Sequence, residues 1–155
     1  MFSANSRAAL NSYRKVGVET GVASASPQRL ILMLYEGAIV AITAAQQHLR
    51  QKNIAAKGEA ISKAISIIDG GLKASLDLNV GGELAQNLYQ LYVYMGQRLL
   101  QGNINNDSAA FEEVRRLLQQ LMSAWESLAA STAASAAQPS SAPQPQRAAT
   151  SYGNI

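Results

Sequence analysis

The side chains able to do chemistry in this chain are few and scattered. His48 is the sole histidine and there is no cysteine, so neither a catalytic triad nor a histidine- or thiolate-based metal site can be assembled. The carboxylates Glu36, Glu59, Asp69, Asp77 and Glu83 show no Glu-x-x-His pairing of the di-iron bundle kind. The one reaction the inventory leaves open is phosphoryl transfer. An exposed imidazole on a helix can accept a phosphoryl group beside a basic residue, and "QHLRQKN" sets Arg50 and Lys52 near His48. The chain is expected not to be an enzyme.

Four long segments with helical periodicity surround these residues, and none alternates as a strand does. In "SASPQRLILMLYEG", Ser26 can accept from free backbone N–H groups and Pro27 suits the first helical position, so a helix is predicted from Pro27 to about Gln51. Its apolar run, residues 30–45, is shorter than the roughly 20 residues of a membrane span and contains Glu36, which predicts a buried helix. A second helix, from about Ile54 to Leu78, places Ile54, Ile61, Ile65, Ile68, Leu72 and Leu76 on one face. Residues 79–82 break it, and a third helix follows to "QGNINND". Asp107 or a neighbouring Asn or Ser caps a fourth, in which Val114, Leu117, Leu118, Leu121, Trp125 and Leu128 keep a bundle-seam spacing.

Connections of a few residues force sequential helices to run antiparallel, so the expected fold is all-α, an up-down-up-down four-helix bundle over residues 21–130. A mobile N-terminal segment, residues 1–20, can hold a short helix around residues 5–14. From about Ser131 the sequence "STAASAAQPSSAPQPQRAATSYGNI" is too poor in large apolar side chains to offset ordering entropy, and residues 131–155 are expected to be a disordered tail.

The balance of 13 Lys+Arg against 10 Asp+Glu is interspersed rather than clustered, which speaks against a nucleic-acid groove. No signal-type apolar core lies in "MFSANSRAALNSYRKVGVE", and the expected location is the cytoplasm, without membrane insertion. The apolar surplus is more informative. On the third helix Leu84, Leu88, Leu91, Met95 and Leu99 form a stripe with Tyr92 at its edge, and Tyr89, Val93 and Leu100 add a shoulder. The combined arc is roughly 200°, about twice that of an ordinary amphipathic helix. Gly70 and Gly71 interrupt the second helix, for close packing or a kink inside the bundle or as a shallow place for a partner helix. Second apolar shoulders in a chain with only 15% charged residues suggest grooves for apolar helices of another protein.

Six blocks in order, "SYRKVGVET", "SASPQRLILMLYEGA", "AISKAISIIDGGLKASLD", "GGELAQNLYQLYVYM", "RLLQGN" and "EEVRRLLQQLMSAW", give the chain a resemblance to the flagellin-specific export chaperones of bacteria, the FliS family, over about residues 10–128. Glu36 stands where an aspartate is common, Val93 interrupts a "LYDYM"-like block, and the Pro/Gln-rich tail is long for that family. The resemblance implies a cytoplasmic chaperone that binds the C-terminal helical segment of new flagellin, prevents its premature polymerisation and helps deliver it to the export-gate membrane protein of the flagellar type III system. It implies no metal or other cofactor. Candidate flagellin-groove residues are Ile61, Ile65, Leu72, Leu88, Leu91, Tyr92 and Met95; the resemblance places Leu10 and Tyr13 in a segment that can cap the groove or dock on the export gate. The alternative is a histidine phosphotransfer module using His48, which lacks the lysine-glycine pair usual after the histidine in that family.

Overall fold

Ser26 Oγ accepts from Arg29 N at 3.1 Å, and Pro27 opens the helix behind that cap. In the computed structural model, which describes residues 26–136, this first helix, α1, spans Pro27–Arg50. Lys52 turns the chain with φ 60°, and Asn53 Oδ1 accepts from Ala56 N at 3.2 Å to start α2, Ile54–Ile67. The helix α3 covers Gly82–Asn105 and α4 covers Ser108–Ala136. Asn106, left-handed at φ 52°, ends α3, and Asp107 Oδ1 accepts from Ala109 N at 3.0 Å in the first turn of α4. No strand occurs among the described residues, and the four helices form the expected up-down-up-down bundle.

The second helix departs from expectation at its end. At "IDGGLK", Ile68–Lys73, the chain widens into a π-helical turn, with Ala74 N donating to Asp69 O five residues back at 3.2 Å. Regular α-helix therefore stops at Ile67 and the π turn at Lys73, short of Leu78. A Cβ on Gly71 would lie 2.8 Å from Leu34 Cδ2, so this glycine lets α1 approach the turn closely. Gly70, with nothing within 4 Å of its Cβ position, faces open space. Of the two explanations for the paired glycines, Gly71 serves an internal contact.

The core is drawn from all four helices: Leu30, Leu34 and Ile42 of α1, Ile61 and Ile68 near α2, Met95 and Leu99 of α3, and Phe111, Val114 and Leu118 of α4. A Cβ on Gly102 would stand 2.8 Å from Ala110 Cβ, which marks the tight α3–α4 crossing. Among the described residues α1 alone is long and apolar enough to cross a membrane, yet more than half of its most apolar window is buried in the protein, as expected of a core helix.

The chain divides after Met122 into two compact units. In the second, α4 continues through Ala136, past the position where the tail was expected, because "STAASA" is rich in the best helix-forming residue. Residues 1–25, with the short helix, Leu10 and Tyr13, and residues 137–155 of the expected tail lie outside the described residues.

Candidate functional site

Which part of the wide apolar arc of α3 is left over depends on where its neighbours sit. Towards α1, Tyr92 is 2% exposed and its hydroxyl shares a hydrogen bond of 2.6 Å with Tyr35 OH. Burial pushes both phenols above their ordinary pKa, Tyr92 the further. Towards α2, the Gly96 Cβ position lies 3.6 Å from Asp69 Oδ1, and Lys73 Nζ stands 5.4 Å from the centre of the Tyr89 ring.

Towards α4, Arg98 Nε donates to Glu113 Oε1 at 2.7 Å and Tyr94 OH donates to the same carboxylate, with Asp107 3.8 Å from the guanidinium. The Arg98 guanidinium holds the Glu113 carboxyl below the usual carboxylate range, with help from the tyrosine. Lys57 of α2, only 2% exposed, donates from Nζ to Asn103 O at 2.8 Å and to Asn106 Oδ1. A cation thus sits at the C-terminal end of α3, where the free carbonyls favour it.

These contacts use three sides of α3, and large apolar side chains remain outside them. Leu100 is 52% and Ile104 71% exposed; with Tyr94, Gln97, Arg98 and Gln101 they border a shallow cleft of about 390 Å³. At the other end of the helix Leu84, 69% exposed, joins Leu88, Leu76 and Val80 around a second cleft of about 280 Å³ floored by Gly81 and Ala85. The loop that closes this cleft is held by Asp77, whose Oδ1 accepts from Asn79 N and Val80 N, each at 3.0 Å. Those backbone donors favour the charged form, and the Asp77 carboxyl is lowered accordingly.

Of the seven groove candidates from sequence, Ile61, Leu72, Tyr92 and Met95 are in the interior, at 2% exposure or less. Tyr92, expected on the groove, has its ring in the interior and its hydroxyl bonded to Tyr35. Ile65, Leu88 and Leu91 are half-buried and open to the surface. Sequence reasoning did not single out Val80 or Ile104. Ile104 falls one turn beyond Leu100 on the same side of α3, a signal that "QGNIN" obscured by reading as a helix end. His48 is half-buried, its Nδ1 is shut off from solvent without a hydrogen bond, and Arg50 turns to Gln47 Oε1 at 2.7 Å. The phosphoryl-acceptor reading finds no support in that geometry. Among the described residues no three His, Asp or Glu side chains come together in a way that could hold a metal ion.

The fold and this face define a small antiparallel helical bundle that keeps an apolar helix surface turned outward. A family model described as flagellar protein FliS matches residues 9–132. The flagellar secretion chaperone FliS of Salmonella typhimurium is 52% identical over 119 residues, covering 77% of this chain and 88% of the relative. The protein of the same name from Escherichia coli is 45% identical over 115 residues, 74% of this chain and 85% of the relative. A more distant one, from Bacillus subtilis, is 33% identical over 108 residues, 70% and 79% respectively. The chain belongs to the FliS family.

Proposed function

We propose that this FliS-family chain is a cytoplasmic secretion chaperone for flagellin. It binds the C-terminal helical segment of the newly made subunit, holds it from polymerising, and brings it to the cytoplasmic domain of the export-gate membrane protein. The observation that carries this reading is the exposure of large apolar side chains at both ends of α3, Leu100 and Ile104 on one side near its C-terminus and Leu84 on another side at its start, each half or more exposed. A client segment that folds as it binds needs a long apolar surface, since coupled folding typically buries on the order of 1,000–3,000 Å². Two clefts on one helix, with Ile65, Leu88 and Leu91 partly open between the helices, supply such a surface. The work is binding and release, with no catalytic step and no cofactor.

Calorimetric titration of the purified chain with the C-terminal segment of flagellin from the same bacterium tests this directly. Saturable one-to-one binding with a negative heat-capacity change, together with suppression of flagellin polymerisation, is the expected result. Absence of binding by the folded chain would refute the reading.

A further inference from the structure

Three close approaches mark the seam between α2 and α3. A Cβ on Gly58 would lie 4.0 Å from Asn103 Oδ1, the Gly96 Cβ position lies 3.6 Å from Asp69 Oδ1 and 4.0 Å from Oδ2, and Lys73 Nζ lies over Tyr89. The pairs run in opposite directions along the two helices, as an antiparallel seam requires. Beside it the exposed or half-exposed residues are mostly apolar or small: Ile54, Ile65, Val93, Leu100 and Ile104. The π turn places one carboxylate in that seam, at Asp69. Its side chain is 45% exposed, and its partner Lys73 is 25% exposed at a distance of 3.5 Å.

This is an incomplete pairing. A separation of 3.5 Å is longer than a close charge-assisted hydrogen bond, and the Lys73 ammonium is shared with the Tyr89 ring. Across the seam Gly96 has no side chain and the Asp69 carboxylate lies against it, 3.6 and 4.0 Å from its Cβ position, which leaves the other side of the carboxylate, 45% exposed, facing outward. A charged group within an apolar seam acts chiefly on register, because every misaligned docking buries it without a partner. π turns are found disproportionately at functional sites, where the extra residue displaces one side chain from the regular helical path.

Resting on the chaperone reading above, we infer that Asp69 is the register-setting residue of the client groove. Its ligand is a lysine or arginine carried among apolar residues on the docked amphipathic helix of the client. The client cation takes the open side of the Asp69 carboxylate, while Lys73 remains over Tyr89. Apolar side chains on either side of the cation settle along Ile65, Val93 and Leu100.

The test is a titration of the full chain, as wild type, Asp69→Asn and Lys73→Met, with the C-terminal segment of flagellin at two salt concentrations. Asp69→Asn keeps shape and removes charge; it should weaken binding about three- to tenfold at low salt and flatten the salt dependence. Lys73→Met should bind as well as wild type or more tightly, because it removes the competitor for the carboxylate and keeps the apolar stem. Equal weakening by both variants would mean that the pair only stiffens the π turn and would overturn the inference. Unchanged affinity and salt dependence in Asp69→Asn would overturn it as well. A wild-type chain that fails to bind the segment would instead refute the function proposed above.

Discussion

Ile104→Ala separates the outward face from the core more sharply than any other single change. Full burial of an isoleucine side chain is worth about 1.5–3 kcal/mol. Ile104 is 71% exposed, so about 1–2 kcal/mol of that remains for a partner to gain. At 1.4 kcal/mol per decade, truncation should weaken the client complex about five- to thirtyfold. The free chain loses little, because the removed atoms already lie in water; the cost should stay within about 0.5 kcal/mol, or less than roughly 4 °C in melting temperature. Met95→Ala is the opposite case. Met95 is fully buried, and its truncation should remove about 2–5 kcal/mol of stability, more than roughly 8 °C, with binding impaired mainly through unfolding. Paired thermal melts and titrations with the flagellin C-terminal segment read both quantities. An Ile104→Ala variant that binds like wild type would show that the apolar end of α3 is not part of the client surface.

Gly71→Ala should destabilise the bundle by about 1–3 kcal/mol in denaturant unfolding, since its methyl would sit 2.8 Å from Leu34 Cδ2; Gly70→Ala, facing open space, should be neutral or stabilise by up to about 1 kcal/mol. Lys57→Met strips the donor from Asn103 O and Asn106 Oδ1 at the end of α3 and should cost about 1–3 kcal/mol in the same assay. Tyr92→Phe leaves the Tyr35 hydroxyl buried without its partner, a loss of about 1–3 kcal/mol, whereas the Tyr35→Phe/Tyr92→Phe double variant should lose less than the two single changes summed. Glu112 accepts from Arg115, Gln46 and Arg116, which lower its pKa from 4.5 to about 2. A depressed carboxyl contributes stability that is present above its unfolded pKa and lost as the pH falls, so Glu112→Gln should flatten the acid limb of the stability profile between pH 4.5 and about 2.

The helices were legible in the sequence because their signals are local. Ser26 with Pro27, the break at residues 79–82, and Asp107 each fix a boundary through backbone hydrogen bonds made within a few residues. The π turn was not legible. Gly-Gly inside a helix predicts a weak place, but whether it kinks, frays or widens depends on what presses against it, and that is Leu34 from another helix. Helix α4 runs on past Ser131 for a related reason. The alanines after Ser131 offer nothing to a core, yet they need no core to continue a helix already nucleated upstream.

The division of α3 into core and open face was the least legible feature, and the reason is geometric. Periodicity measures how wide an apolar arc is; it does not say how many neighbours divide it. Among the described residues the neighbours of α3 are three: α1 at Tyr92, the π turn that ends α2 at Gly96 and Tyr89, and α4 at Arg98 and Gly102. Met95 and Leu99 fall between these contacts and are sealed, whereas Leu100, one residue on, points outward and stays half exposed. A rotation of about 100° per residue is enough to move a side chain from the interior to the surface. The same helix therefore supplies the bundle core through Tyr92, Met95 and Leu99, and the proposed client surface through Leu84 and Leu88 at the open end of the stripe and Leu100 and Ile104 on the shoulder. A substitution on α3 should be judged by its angle to those three neighbours rather than by its hydrophobicity.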